Sequence, residues 1–418
     1  MIRISIIGMG YIGLPLAIEF SKHYEVTGYD TDKKKIKNLI NNIDKTKETK
    51  EKLLKKSRIN FTSNSTALMN SNIYIVTVPT PLYKNKKPNL TPLKKACLTI
   101  SKFLNKKDIV IFESTVFPGA TEEICVPLLE SKNKLIFNRD FFCGYSPERI
   151  NPGDRKNNLT TIKKITSGSN EKTSKFVDNL YKKIIKAGTF RTKSIKIAES
   201  AKVIENCQRD LNIAFMNDIT MILNKMNINI YDVLDAAKTK WNFLNFYPGL
   251  VGGHCVAVDP YYLYQKGIDV GHESTIIKAS RKINDSMPSF VVKDVENKIN
   301  EKKLKNKNKI NILILGITFK ENCNDTRNSL VPEIYSKLSK KNNVHVYDPL
   351  VEDSYFNLKK INFIRQFRNN TYDVIILAVP HKSILDLWSV ILKKCLKKNS
   401  FIYDIKGIYR NKNNTESF

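Results

Sequence analysis

The chain has 418 residues, 41% hydrophobic and 10% aromatic, with 70 Lys and Arg against 40 Asp and Glu and a formal net charge of +30. Such a chain can bury real cores, which excludes wholesale disorder, and its length leaves room for two or three domains. No apolar run approaches the roughly 20 residues that span a bilayer, and no basic leader with a cleavage site is visible, so a cytoplasmic protein that does not enter membranes is expected.

Residues 2–7 read as a buried strand, Gly8-Met9-Gly10-Tyr11-Ile12-Gly13 follows, and Leu14 to Lys22 carries helical apolar spacing. Glu25 to Asp30 is a second strand that ends in an acid, completing a βαβ unit. Asn72 to Val78 predicts a strand running into Pro79-Thr80-Pro81, and Asp108 to Glu113 another running into Ser114-Thr115. From Ser194 the texture changes. Ile197 to Met226 holds neither Pro nor Gly and predicts one helix, long enough to connect two domains or build a dimer interface. The Lys- and Asn-rich stretch Asn297 to Lys309 reads as a helix end and linker. Then the opening pattern returns: a strand Ile310 to Leu315, a turn at Gly316, and a helix Ser329 to Leu338. Val344 to Asp348 echoes Val26 to Asp30, and Tyr372 to Pro380 echoes Asn72 to Pro79. The expected class is α/β, with two Rossmann-like domains (1–192 and 301–418) joined by a long central helix and a helical middle region (193–300).

Gly8, Gly10 and Gly13 form a G-x-G-x-x-G between a strand and a helix. Its glycines allow a tight turn, a close approach of pyrophosphate and close helix packing. Asp30 stands where a carboxylate meets a ribose 2′-OH and repels a 2′-phosphate, so NAD is the expected cofactor. The second half lacks this signature. Lys320 and Arg327 offer positive charge for another phosphorylated ligand, or are plain surface charges, and Asp325 to Ser329 is expected to cap the next helix.

Seven cysteines occur, none spaced as C-x-x-C, which speaks against a disulfide framework or a zinc site. Cys255 stands apart because Gly249, Gly252 and Gly253 precede it and Asp259 follows. A thiol in such a setting can attack a carbonyl, although a lone cysteine is commonly a small buried hydrophobe. On the long helix Lys202, Asn206 and Arg209 share a face, where a Lys–Asn pair can hold an oxyanion; a solvated face is the plain alternative. His254 and His272 could act as acids or bases, or be structural.

These motifs, with Thr77 to Pro81, Ser114-Thr115-Val116, Ser146 to Gly153 and Gly316 to Ser329, run in one order along almost the whole chain. In them the chain resembles the UDP-glucose/UDP-mannuronate dehydrogenase family. Ser146 to Gly153 and Thr239 to Phe243 are similar to the branch acting on UDP-N-acetylhexosamines, as in O-antigen and Vi-type capsule synthesis.

The resemblance implies a four-electron oxidation of the sugar C6 alcohol to a carboxylate, with two NAD reduced and Cys255 carrying a thiohemiacetal and then a thioester. It implies Lys202 and Asn206 as oxyanion stabilisers, Asp259 with a water near Thr115 in proton transfer, and Glu148 in thioester hydrolysis. Gly8, Gly10, Tyr11, Ile12, Gly13, Asp30, Pro79, Thr80, Thr115 and Arg327 would face the cofactor. Glu148, Arg149, Ile150, Asn151, Lys202, Asn206, Arg209, Phe246, Tyr247, Gly249, Gly252, Gly253, Arg281 and Lys320 would face the UDP-N-acetylhexosamine. It also implies a homodimer. Two departures stand out: Tyr247 occupies a place where Arg is expected before Pro-Gly, and Glu273-Ser274-Thr275 lacks an expected proline.

The +30 would ordinarily point to nucleic acid or an anionic membrane surface. Only 12 of the basic residues are Arg and 44 residues are Asn, so Lys and Asn from A/T-rich codons on tolerant surface positions explain the excess. No nucleic-acid or membrane partner is expected. The rival readings are UDP-glucose or UDP-ManNAc as substrate, a two-electron 3-hydroxyacid dehydrogenase needing no Cys, and a basic nucleic-acid or membrane-surface binder.

Overall fold

A computed structural model describes residues 1–46, 49–150, 158–304 and 309–418. It divides into two compact units, Met1–Asn206 with Tyr261–Glu273, and Cys207–Pro260 with Ser274–Phe418.

In the first unit eight strands form one sheet: β1 (Arg3–Ile7), β2 (Glu25–Tyr29), β3 (Ile59–Thr62), β4 (Ile73–Val76), β5 (Ile109–Phe112), β6 (Phe142–Tyr145), β7 (Lys164–Gly168) and β8 (Thr189–Arg191). The order is β3-β2-β1-β4-β5-β6-β7-β8. All neighbours are parallel except β6 and β7. The central strands are apolar on both faces, as Ile73 to Val76 and Ile109 to Phe112 show, because helices cover a parallel sheet on each side. The chain reverses direction of progress between β1 and β4, and ligands of such sheets bind outside the carboxyl ends of the strands at that point. The segments leaving there are Gly8 to Gly13 and Thr77 to Pro81.

The second unit holds β9 (Asn311–Leu315), β10 (Asn343–Tyr347), β11 (Tyr372–Leu377), β12 (Leu396–Asp404) and β13 (Thr415–Ser417), in the order β10-β9-β11-β12-β13 and all parallel. Ile312, Ile314, Val374, Ile376 and Phe401 build its core with Val291 and Val295 of the helix Thr275–Glu301. Its first turn repeats that of the first unit. Gly8 N–H donates to Tyr29 O at 2.8 Å and Met9 N–H to Asp30 Oδ2 at 2.8 Å; Gly316 N–H donates to Tyr347 O at 2.9 Å and Ile317 N–H to Asp348 Oδ2 at 2.8 Å. Gly8 and Gly316 have φ of 103° and 84°, where glycine is preferred.

The predicted long helix is present as Ile195–Lys225, and the predicted strands lie within a few residues of their expected ends. One local expectation fails. The helix after Gly316 begins at Val331, and Asp325 does not cap it. Leu330 holds the cap position, with the Ser329 hydroxyl accepting from Val331 N–H at 3.3 Å, because Asp325 turns to Arg327 and His254.

Candidate active site

The first unit forms the dinucleotide end. A Cβ on Gly13 would meet the Gly8 carbonyl at 1.9 Å, and one on Gly8 would meet Thr77 O at 3.1 Å, so both positions require glycine. Around Gly10 the same construction finds nothing within 4 Å, which leaves the backbone open to a ligand. Thr77 Oγ1 donates to Gly8 O at 2.7 Å and Ser114 Oγ to Val78 O at 2.6 Å, tying the Pro79-Thr80 turn to the glycine turn and to Thr115. Tyr11, Ile12, Thr80 and Thr115 are half-buried and Pro79 is exposed. Asp30 accepts from Met9 N–H and Asp32 N–H, and Lys35 Nζ lies 2.7 Å from its Oδ2. This shape fits NAD: an open turn for pyrophosphate at a helix N-terminus and an anchored acid for the ribose. Lys35 belongs to a run that composition alone marks as surface drift, yet its ammonium pairs with the Asp30 carboxylate.

Glu148 is buried. Its Oε1 accepts the N–H groups of Arg149 at 2.6 Å and Ile150 at 2.5 Å, and its Oε2 lies 3.2 Å from Lys164 Nζ. Arg149 pairs with Glu205 at 2.7 Å. Asn151 lies outside the described residues. Lys202 and Asn206 are each 6% exposed, one helical turn apart, whereas Arg209 is exposed, so the face that joins the first two does not extend to the third. Glu199, one turn before Lys202, accepts from Gly119 N–H at 2.5 Å, Thr121 N–H at 2.9 Å and Thr121 Oγ1 at 2.7 Å. That anchors the loop after Thr115 to the helix. Burial pushes its carboxyl up to about 7, against the lowering effect of these donors.

The second unit holds the thiol end. Of the seven cysteines Cys255 alone is not buried. Burial pushes the thiols of Cys207 to about 12 and Cys395 to about 11, and raises Cys125 and Cys143 strongly as well, with Cys97 contributing most at Cys125. None of these supplies thiolate at neutral pH. The Cys255 carbonyl accepts the N–H groups of Val258 at 2.9 Å and Asp259 at 2.8 Å, so the chain turns here into the helix Asp259–Asp269. Asp259 is buried.

The glycines before Cys255 pack against the Gly316–Ser329 loop. A Cβ on Gly252 would come 2.7 Å from Asn328 O, and one on Gly253 would come 2.8 Å from the Phe319 ring. Asn328 Nδ2 donates to Gly253 O at 3.0 Å. Asn217 accepts from Gly249 N–H at 2.8 Å and donates to Gly249 O at 3.1 Å. His254 lies 3.0 Å from Asp325, which also takes a bidentate contact from Arg327. Burial opposes the Asp325 charge, but His254 and Arg327 outweigh it and hold this carboxyl far below its usual range. Lys320 lies 5.8 Å from the centroid of the Phe319 ring. Phe246 packs on the core, and Tyr247 stacks on Tyr231 at 6.5 Å.

Arg281 is 4% exposed and paired with Asp210 and Asp285. Asn284 donates to Asp210 Oδ1 at 2.7 Å and accepts from Asn217 at 2.8 Å, so these residues form one buried polar chain ending at Gly249. Sequence reading missed Glu113, Lys164, Asn217 and Asn284; their side chains carry no local motif.

Among the described residues no helix is long and apolar enough to cross a membrane. Three family descriptions match: the UDP-glucose/GDP-mannose dehydrogenase NAD binding domain at residues 2–185, the central domain at 196–286, and the UDP binding domain at 313–411. The chain is 47% identical to a UDP-N-acetyl-D-glucosamine 6-dehydrogenase of Salmonella typhi over 410 residues, 97% of this chain and 96% of that one. A protein of the same name from Pseudomonas aeruginosa is 47% identical over 409 residues, with the same coverage. The solved UDP-D-ManNAc dehydrogenase of Pyrococcus horikoshii superposes with a TM-score of 0.85 at 31% identity, over 96% of this chain and 95% of that one.

Proposed function

Since the chain belongs to the UDP-glucose/GDP-mannose dehydrogenase family and is an NAD-dependent UDP-sugar dehydrogenase, we propose that its substrate is a UDP-N-acetylhexosamine, UDP-GlcNAc or UDP-GalNAc, oxidised at C6 to the uronate. The single observation that carries the covalent part is Cys255: the one thiol of seven that is not buried, placed at the end of a packed glycine loop. The names of the two relatives at 47% identity support the N-acetylhexosamine. The three family matches fall inside the spans 1–192, 193–300 and 301–418, which supports that division of labour.

Bound NAD supplies the hydride acceptor, two per uronate formed. The chain's own residues do the rest in this reading. Asp259, with a water near Thr115, takes the proton of the C6 hydroxyl. The Cys255 thiolate adds to the C6 aldehyde, a C–S bond forms, and the carbonyl electron pair becomes an oxyanion held by Lys202 and Asn206. Once C6 is oxidised to a thioester on Sγ, water adds to its carbonyl while Glu148 accepts the water's proton. The C–S bond then breaks, the thiolate is restored and the carboxylate leaves. Arg149, Ile150, Phe246, Tyr247, Gly249, Gly252, Gly253 and Lys320 hold the nucleotide sugar, with Arg209 and Arg281 as further contacts. Arg327 faces the cofactor from its pair with Asp325. The product serves a surface polysaccharide.

A second copy is the proposed partner. Ile197, Ile204, Phe215, Ile222 and Met226 are all exposed on the long helix. At about 100° per residue they fall within one narrow stripe. A monomer at micromolar concentration in sedimentation experiments would remove that part.

The deciding experiment is incubation with NAD and UDP-GlcNAc, UDP-GalNAc, UDP-ManNAc or UDP-glucose, measuring NADH and uronate. Two NADH per uronate with an N-acetylhexosamine is the expected result. One NADH per sugar, unaffected by thiol alkylation, would instead make the chain a two-electron dehydrogenase.

A further inference from the structure

Behind Glu148 lies a buried ion cluster that the steps above do not use. Lys164, the first residue of β7, is 2% exposed, and its ammonium sits 2.6 Å from Glu113 Oε2 and 3.2 Å from Glu148 Oε2. The other oxygen of Glu113 accepts from the Tyr181 hydroxyl, and the Tyr181 ring lies 5.5 Å from the ammonium. The topology explains the meeting. Glu113 follows the end of β5, Glu148 follows the end of β6, and the antiparallel register of β6 and β7 brings the start of β7 back to those ends.

Stability does not account for such a cluster. Each buried ion costs several kcal/mol in desolvation, and apolar replacements of whole buried ion groups are often neutral or stabilising. Burial pushes the Glu113 carboxyl up to about 7, with Lys164 lowering and Glu148 raising it. Burial also works against the Lys164 ammonium, but the two carboxylates outweigh it and hold it charged. The geometry does something specific for Glu148. One oxygen is fixed by two backbone N–H groups and the other by an ammonium, so the carboxylate has one orientation. A base that must meet one water molecule needs such a fixed orientation. Glu113 takes the shorter contact and shares the ammonium.

We propose that Lys164 is a positioning residue for Glu148 in thioester hydrolysis, with Glu113 as the counter-anchor that sets how strongly the ammonium holds it. This rests on the reading that Glu148 accepts the proton of the hydrolytic water as the C–O bond forms and the C–S bond to Cys255 breaks.

The test follows the acyl-enzyme. Lys164→Met should lower kcat about 10- to 100-fold while KM for UDP-sugar and NAD stays within about threefold. Acid-quenched turnover should then show the sugar acyl adduct on Cys255 by intact-protein mass, and Lys164→Arg should recover most of the rate. Glu113→Gln keeps the shape and leaves the ammonium to Glu148 alone, so the acid limb of the kcat profile should move to lower pH. A Lys164→Met enzyme at wild-type rate, or a slow one without adduct while Glu148→Gln accumulates it, overturns the inference and spares the reading of Glu148. If Lys164→Met does not fold, an unmoved acid limb in Glu113→Gln overturns it by itself. A fully active Glu148→Gln enzyme removes both.

Discussion

Asn217 grips both polar ends of the Gly249 residue: its side-chain carbonyl accepts Gly249 N–H at 2.8 Å and its amide donates to Gly249 O at 3.1 Å. Asn217 is fully buried, so nothing else is at hand to satisfy those groups. Asn217→Ala should therefore lower stability by about 2–4 kcal/mol. It should also raise KM for the UDP-sugar more than it lowers kcat, because the loop it frees lies before Cys255 and contacts the sugar nucleotide in the proposed reading. Thermal melts and steady-state kinetics check both. An Ala variant with wild-type KM would mean that the glycine loop holds its shape unaided.

Iodoacetamide at mild alkaline pH should label Cys255 before any other thiol and abolish uronate formation. The thiols of Cys125, Cys143, Cys207 and Cys395 are held in their neutral form and react slowly, and Cys97 and Cys323 are buried away from the reagent. Cys255→Ser should form no uronate, while Cys207→Ala should keep wild-type kcat at a cost of about 1 kcal/mol in stability. Peptide mass spectrometry after partial labelling decides the order.

Asp30→Ala removes the acceptor of Met9 N–H and leaves the Lys35 ammonium without its 2.7 Å contact to this carboxylate. KM for NAD should rise about 10- to 100-fold. The preference for NAD over NADP should fall with it, since a cation then faces the 2′-position where an anion stood. Saturation curves with both cofactors measure this, and an unchanged ratio would mean that Asp30 plays no part in the choice.

Glu199 gives a pH signature in stability. Its folded carboxyl is raised to about 7 by burial, above the unfolded value near 4.5. The folded state therefore binds the proton more tightly. Its contribution is fully present below about pH 4.5 and is lost as pH rises towards 7. Glu199→Gln should melt progressively higher relative to wild type across that window, by an amount equivalent to at most about 3 kcal/mol, and in parallel above it. A constant difference between the two from pH 4.5 to 7 would contradict the assignment.

The parts of the molecule legible in sequence are those whose partners lie close along the chain or whose chemistry forces a residue type. Gly8 to Gly13 and Asp30 could be placed because a turn and the strand after it are local and glycine has no substitute there. The echo of Val26 to Asp30 in Val344 to Asp348 proved to be a real structural repeat, down to the acid receiving the backbone N–H after the glycine. Its function could not be read, because Asp348 is completely buried against His381 at 3.1 Å and so has no open side for a ribose. Lys164 with Glu113, 51 residues apart, and Asn217 with Gly249, 32 apart, were invisible for another reason. In a chain with so many Lys and Asn, one buried Lys or Asn carries no signal until the sheet and the helices bring its partner to it. Arg327 shows the converse: the sequence offers its charge either for a phosphate or as a plain surface charge, and only the fold shows that Asp325 pairs with it at 2.7 Å.

The short stretch Tyr261–Glu273 belongs with the first unit although the chain around it belongs with the second. Tyr262 is completely buried, donates to Pro81 O at 3.2 Å and lies 6.5 Å from Phe117, while Lys266 pairs with Glu123 at 2.6 Å. During synthesis the cofactor half therefore leaves the ribosome unfinished. Its Phe117 surface waits uncovered until the thiol loop and the next helix have been made, a delay of several seconds at about 5–20 residues per second. A gene cut after residue 206 would yield a first half lacking part of its own core, so the two halves are not separable cassettes, and the order of translation binds the maturation of one to the appearance of the other.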